Sequence, residues 1–332
     1  MQVIQTLAAA LWLAATVAQA QDEVPFITTP DQVTLAMLEV AGVSARDHVI
    51  DLGSGDGRIV ITAARRFGAS GLGVEIVPDL VRLSREHARA ARVHERVEFR
   101  EQDLFATDLR HATVVTMYLL PEVNLQLRPR LLALAPGTRI VSHDWDLGDW
   151  APDRTLKIDV PDKAVGREKF SQVHLWVVPA QVQGLWCAAG ASLEITQRFQ
   201  SFSATLTALG STTPTTVFDG RIDGLTLRAN PTRSAVLHLQ GPGLQIGQIV
   251  GAGAGFSGRQ FMRAQAADAA HARDPRRPAT CLSGNLHDRP HRTQRPRHLG
   301  LPPGQYRHRL CAQLQGRAAG PARDDLGARA WQ

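Results

Sequence analysis

Seven residues, Asp51-Leu-Gly-Ser-Gly-Asp-Gly57, bring three glycines and two carboxylates together in one short stretch of a 332-residue chain. Gly53, Gly55 and Gly57 would let the backbone turn tightly and let a ligand lie against bare main chain, where side chains would hold it off. Two acidic positions follow at intervals. Glu75 lies about 20 residues on, where a carboxylate can accept both ribose hydroxyls of a nucleoside. Asp103 and Leu104 come next, and there a carboxylate and its neighbouring backbone can read an adenine amino group. If each position closes a strand, then Asp51, Gly53, Ser54, Gly55, Gly57, Glu75, Asp103 and Leu104 share one adenosine-shaped site at the carboxyl edge of a sheet. The competing reading leaves Glu75 and Asp103 as solvated loop charges.

The loop is not the Gly-x-Gly-x-x-Gly that receives a pyrophosphate at a helix N-terminus. Its acidic residues would repel a dinucleotide phosphate, but they suit the cationic amino and sulfonium groups of S-adenosylmethionine. Further along, Tyr118 in Met117-Tyr-Leu-Leu-Pro121 and Asp144 in Ser142-His-Asp-Trp145 are candidates for holding a methyl acceptor, with His143 beside them. Methyl transfer is an in-line displacement, so positioning and exclusion of water supply most of its rate. The nucleophile must be unprotonated, and for a lysine at neutral pH this costs about 4–5 kcal/mol. A carboxylate can hold the ammonium and take its proton, although it also raises the lysine's pKa, and aromatic walls can hold the cation by its face. Asp144, Asp146 and Asp149 lack the glycine and distal glutamate of a calcium loop. Cys187, Cys281 and Cys311 are odd in number and lack metal-ligand spacing, so neither a disulfide framework nor a metal site is expected from them.

These residues need a scaffold of alternating strands and helices. Val49–Leu52 reads as a first strand and Arg58–Phe67 as the helix after it. Gly71–Val77 is a second strand, and Pro78 opens a helix at the position where proline is tolerated, running to about Arg92. Val97–Glu101, Ala112–Tyr118 and Thr138–Ser142 are further strands, with a helix over Glu122–Ala133. Strands separated in this way imply βαβ units and a Rossmann-like, doubly wound, mostly parallel α/β sheet over residues 21–180. Arg154–Val160 and Val173–Val178 would complete it as an antiparallel edge pair. Beyond Pro179 the pattern changes to short alternating runs, Leu193–Phe199, Ser203–Leu209, Thr215–Phe218 and Leu225–Arg228. They predict a small all-β unit over 181–240.

The two ends of the chain read differently. Residues 1–20 contain an apolar run from Leu7 to Val17 and then Ala18-Gln19-Ala20, which places a signal-peptidase cut before Gln21. The run is short for a membrane span, and Met1–Thr6 carry no Lys or Arg. The expectation is export to the periplasm, with an uncleaved membrane anchor as the competing reading. From Gly241 to Gln332 the composition shifts to Arg, Pro, Ala, Gly and His, too poor in apolar residues to offset the entropy of ordering. This stretch reads as a disordered tail, or as the out-of-frame translation of a GC-rich gene. It carries 14 Arg, no Lys and five acidic residues, whereas the rest of the chain is net −3, although the whole chain is +6. The basic character therefore belongs to the tail, and no nucleic-acid partner is expected.

Residues from about Val24 to Pro179 resemble the seven-strand class I methyltransferases. Within that class they resemble the bacterial relatives of the mitochondrial lysine methyltransferases that modify the c-ring protein of ATP synthase and the adenine nucleotide translocase. The matching pieces are Val24-Pro-Phe-Ile-Thr-Thr-Pro30, Asp51-Leu-Gly-Ser-Gly-Asp-Gly-Arg-Ile-Val60, Gly73-Val-Glu75, Asp103-Leu-Phe105 and Asp149-Trp-Ala-Pro-Asp153. The glycine loop is common to the superfamily, whereas its extension through Val60 and the Pro25…Pro30 segment are more specific. The resemblance implies S-adenosylmethionine as cofactor and a protein lysine as acceptor, with a membrane-associated protein as its model. A small-molecule acceptor, and an exported binding protein on a non-catalytic methyltransferase scaffold, are the other readings. The Asn/Asp-Pro-Pro-Tyr loop of enzymes that methylate base and amide nitrogens is absent.

Overall fold

The computed structural model describes residues 26–164, 166–231, 234–264 and 281. The apolar segment 1–20 and most of the Arg-rich tail lie outside the described residues.

The first region is a seven-stranded sheet flanked by helices. Its elements are α1 (Asp31–Val40), β1 (His48–Leu52), α2 (Arg58–Phe67), β2 (Ser70–Glu75), α3 (Pro78–Ala90), β3 (Val97–Glu101), β4 (Val114–Met117), α4 (Pro121–Leu132), β5 (Arg139–His143), β6 (Arg154–Asp159) and β7 (Phe170–Val177). The strand order is β3-β2-β1-β4-β5-β7-β6. The first five pair in parallel, and β7 is antiparallel to both β5 and β6, so it lies inside the sheet and β6 forms the edge. This is the doubly wound arrangement that the strand-helix alternation predicts. The strand order reverses at β1 and β4, where ligands bind in open α/β sheets.

Both faces of the central strands β1, β4 and β5 are buried, which is why they read as nearly continuous apolar runs, whereas the edge strands β3 and β6 alternate. Val49, Val114 and Val141 pack on one face with Val33, Met37 and Leu38 of α1. Their neighbours Ile50, Val115 and Ile140 pack on the other with Leu127 and Leu131 of α4. Pro78 opens α3 as expected, and α1 adds an element to those read from the sequence.

The second region is a closed eight-stranded antiparallel barrel, formed by β8 (Gly184–Ala188), β9 (Ala191–Arg198), β10 (Ser201–Ala208), β11 (Thr216–Asp223), β12 (Thr226–Ala229), β13 (Ala235–Gln240), β14 (Gly243–Ile249) and β15 (Gln260–Arg263). It is all-β, but it extends beyond residue 240. β14 and β15 fall in the stretch expected to be tail, and β15 closes the barrel by pairing Met262 with Cys187 and Arg263 with Trp186. Leu244, Ile246 and Phe261 are fully buried there, so apolar alternation continues past Gly241, thinned by the glycines and glutamines between.

The cysteine expectation is also corrected: Cys187 on β8 is disulfide-bonded to Cys281, 94 residues away in sequence. A lone pair of cysteines needs only spatial proximity, which spacing motifs do not register. Sheet and barrel belong to one compact unit. They are joined by Ala180 N to Gly224 O at 2.8 Å, Gln200 Nε2 to Ala151 O at 2.6 Å, and the ion pairs Arg198–Asp149 and Arg221–Asp153.

Candidate active site

The glycine loop leaves β1 and enters α2 with Gly53, Gly55 and Gly57 all left-handed, at φ 73°, 51° and 80°. A side chain would be strained at each, and space is closed as well. A Cβ on Gly57 would stand 2.7 Å from the Phe99 ring, and one on Gly55 2.1 Å from the Phe26 ring. The amides of Gly53 and Ser54 donate to Val74 O at 3.0 and 2.9 Å, which pins the loop against the end of β2.

Glu75 closes β2 and turns back onto the loop. Its Oε2 accepts from Gly55 N at 3.0 Å, and its Oε1 accepts from the amides of Ile76 and Val77 at 2.8 and 3.1 Å. Gln102 N donates to Glu75 O at 2.9 Å, drawing the end of β3 alongside. Asp103 follows, its Oδ1 accepting from Phe105 N at 2.8 Å and so capping a short helical turn over Leu104–Ala106. Asp103 is exposed and Leu104 half-buried. The structure therefore brings Asp51, the loop, Glu75, Asp103 and Leu104 to the ends of three adjacent strands.

Asp51 is buried beneath the loop, where its Oδ1 accepts from Thr116 Oγ1 at 2.7 Å. Burial pushes its carboxyl up to about 7, against the Thr116 hydrogen bond and with the help of the Glu75 and Asp56 carboxylates. A buried carboxyl in this state is suited to meet a cation. Ser54 Oγ is buried without a hydrogen-bond partner, a further polar atom for a ligand to satisfy. Asp56 takes a different role. It pairs with Arg58 at 2.6 Å, and Arg58 Nη1 donates to Thr29 O at 2.8 Å, tying the loop to the upstream segment.

That segment roofs the carboxyl edge. Phe26 lies over Gly55, Thr29 Oγ1 is 3.2 Å from His143 Nδ1, and Gln32 Nε2 donates to Asp159 O at 2.7 Å. Residues 26–32 thus join the glycine loop to the ends of β5 and β6.

Tyr118 and Asp144 meet at the ends of β4 and β5. The Tyr118 ring lies on the His143 imidazole, with centroids 3.9 Å apart. Burial, followed by the facing Asp144 carboxylate, raises the Tyr118 hydroxyl. His143 is fully buried between Thr29 and Ser171, whose Oγ is 2.9 Å from Nε2, and burial lowers it to about 4 despite Asp144 nearby. Burial thus favours the neutral imidazole over the charged one. Asp144 is held in the left-handed region at φ 62°, its amide donating to Gln172 O and its Oδ1 accepting from Gln172 N at 2.9 Å. A non-glycine residue stays in this conformation only where the surrounding contacts hold it there. Its Oδ2 pairs with Lys163 Nζ at 2.7 Å.

The other two acidic residues of this region turn away: Asp146 accepts from Gly148 N, and Asp149 pairs with Arg128 and Arg198. Phe26, Thr116 and Lys163 are the partners that reading the sequence did not single out. For Lys163 the available signal is its rarity, since three of the 37 basic residues are lysines.

The donor set fits an adenosyl sulfonium: carboxylates at the ends of β1 and β2, a left-handed glycine backbone with no side chain to hold a ligand off, and an orphaned hydroxyl. Comparison with known proteins agrees. Residues 51–154 match the model of the ANTKMT methyltransferase domain. A protein-lysine N-methyltransferase of Saccharolobus islandicus is 43% identical over 138 residues, covering 41% of this chain and 86% of that one. Two mouse lysine N-methyltransferases, one named for the c-ring protein of ATP synthase and one for the adenine nucleotide translocase, are 37% and 39% identical over 33% and 31% of this chain. The chain spans less than half the length of these two, at 44% and 46%. Among solved structures, an RNA methyltransferase from Salinibacter ruber in complex with S-adenosyl-L-homocysteine is 51% identical, covering 47% of this chain and 96% of that one with a TM-score of 0.43. Aligned at 43% identity over most of the archaeal enzyme, this chain belongs with it to one family of S-adenosylmethionine-dependent methyltransferases.

Proposed function

We propose that this methyltransferase acts on the amino group of protein lysines. The observation that carries the proposal is the acceptor end of the site. Tyr118, a neutral His143 and the rigidly held Asp144 converge at the ends of two adjacent strands, and Asp144 already carries a primary ammonium. A carboxylate beside an aromatic ring is the chemistry that retains a lysine side chain. The archaeal and mouse relatives bear lysine methyltransferase names, which supports the same acceptor class.

In this reading the cofactor is held by Asp51, Gly53, Ser54, Gly55 and Gly57, with Glu75 on its ribose and Asp103 and Leu104 at its adenine. Bound S-adenosylmethionine supplies an electrophilic methyl on a sulfonium that is already a good leaving group. The protein orients the acceptor amine and keeps water out, with Phe26 and Thr29 forming the roof. Asp144 holds the acceptor ammonium and takes its proton, while Tyr118 lines the approach.

The acceptor in this proposal is a membrane-associated protein, and residues 1–20 direct the chain to the periplasm or anchor it to the membrane. The Cys187–Cys281 disulfide supports a location outside the reducing cytoplasm. The test is to incubate the full chain with methyl-labelled S-adenosylmethionine and a membrane extract, then hydrolyse the labelled fraction. Methyl-lysine is expected. Label in RNA or in small molecules, with none in lysine, would overturn the proposal.

A further inference from the structure

One lysine of the chain itself stands at the acceptor end. Lys163, on the β6–β7 connection, sends Nζ to Asp144 Oδ2 at 2.7 Å and to Phe170 O at 2.8 Å. Its side chain is 13% exposed, whereas Lys157 and Lys169, the chain's other lysines, are exposed. The start of the connection is tied to the sheet: Val160 is buried among the β-sheet side chains, its amide donates to Lys169 O at 2.8 Å, and Lys163 N donates to Val160 O at 3.1 Å.

Burying a lysine costs rotamer freedom and hydration. An arginine would serve a structural ion pair at least as well, since its fork fits a carboxylate and it stays charged. This chain uses arginine almost everywhere else. Lysine differs from arginine in one chemical respect that matters here, because its nitrogen can give up a proton and act as a nucleophile. The groups around it are those assigned to an incoming lysine: the Asp144 carboxylate, the Tyr118 ring facing that carboxylate, and the neutral His143.

Resting on the reading of this end as a lysine-acceptor site, we propose that Lys163 is itself a methyl acceptor, modified in cis by the chain that carries it. The ammonium first releases a proton to Asp144 and from there to water. The neutral amine then attacks the methyl carbon, the N–C bond forming as the C–S bond breaks. The electron pair of that bond stays on sulfur, leaving S-adenosylhomocysteine and methylated Lys163. Methylation leaves Lys163 cationic but bulkier and with fewer donors, so it competes less well for Asp144 and opens the site to other lysines.

Two measurements test this. Full-length protein is incubated with trideuteromethyl S-adenosylmethionine and no other protein, and peptides covering the three lysines are analysed by mass spectrometry. Label is expected on Lys163 and not on Lys157 or Lys169, at a first-order rate unchanged by dilution, and Lys163→Arg abolishes it without altering thermal unfolding. An unlabelled Lys163, or a rate that rises with protein concentration, overturns the proposal. The second readout needs no cofactor: in trace acetylation of the free protein, Lys163 reacts several-fold more slowly than Lys157 and Lys169, and Asp144→Asn removes that protection. Equal reactivity of all three lysines in the unaltered protein overturns the occupancy on which the proposal stands. If lysines of a membrane extract are methylated while Lys163 is not, this inference fails alone, whereas label confined to RNA or small molecules sinks it together with the proposed function.

Discussion

The sheet and the barrel are both well packed, but they bury different things. The barrel interior is an apolar cluster running from Trp186 through Leu193, Phe218, Leu237 and Phe261. The sheet interior also buries Asp51, Ser54, Thr116, Asn124, Ser142, His143 and Ser171, most of them toward the carboxyl ends of its strands. A buried polar group costs stability unless it is paired, and Ser54 Oγ is not. The sheet therefore carries a cost at one edge that packing alone does not explain, as the proposed cofactor site there would require. Among the described residues the barrel region buries the polar side chains of Ser192, Gln200 and Thr207, and none of them leaves a side-chain atom unpaired.

The largest effect separating the two regions is expected at Gly57. Gly57→Val puts a β-branched side chain at φ 80° and into Phe99 and Ser84. Cofactor binding should be lost, with a stability cost of roughly 2–4 kcal/mol in denaturant unfolding. Normal binding by this variant would mean that the loop conformation is not what the ligand needs. In the barrel, Leu237→Ala removes a fully buried side chain and should cost about 2–5 kcal/mol, with cofactor affinity in the folded protein unchanged. A matching fall in affinity would erase the division of labour.

Asp51→Asn sharpens the comparison through pH. The folded Asp51 carboxyl is raised to about 7 from an ordinary 3.8, so its contribution to stability is fully present below about 4 and is lost as pH rises through about 7. The ligand-free Asp51→Asn protein should therefore be more stable than the parent at pH 8, by an amount that shrinks toward pH 4, while binding the cofactor at least tenfold more weakly. A pH-independent difference in melting temperature would contradict this account. The smallest effect is expected at the seam. Arg221→Ala breaks a half-exposed pair with Asp153 and should cost under about 1 kcal/mol in thermal unfolding, with no change in cofactor affinity.

Much of the sheet was legible in the sequence because periodicity and punctuation agree there. Arg58–Phe67 and Val97–Glu101 form over the predicted bounds, and Pro78 starts its helix. The proposed cofactor edge could be read because glycines and carboxylates recur after successive strands. The proposed acceptor end was only half legible: Tyr118 and Asp144 could be named, but Lys163 reaches Asp144 from a hairpin connection with no motif, and Thr116 supports Asp51 from 65 residues away. The far side of the barrel was missed for a related reason. Gly243, Gly247 and the glutamines of β14 weaken the alternation, although Leu244, Ile246 and Ile249 keep their inward places. Closure of β15 onto β8 is a long-range pairing that no local pattern announces.

If the carboxyl edge of the sheet alone holds the cofactor, titration calorimetry with S-adenosylmethionine should give one site per chain in the unaltered protein, at least a tenfold loss of affinity in Glu75→Ala, and unchanged affinity in folded Leu237→Ala. Equal affinity in the Glu75→Ala and unaltered proteins would contradict that placement.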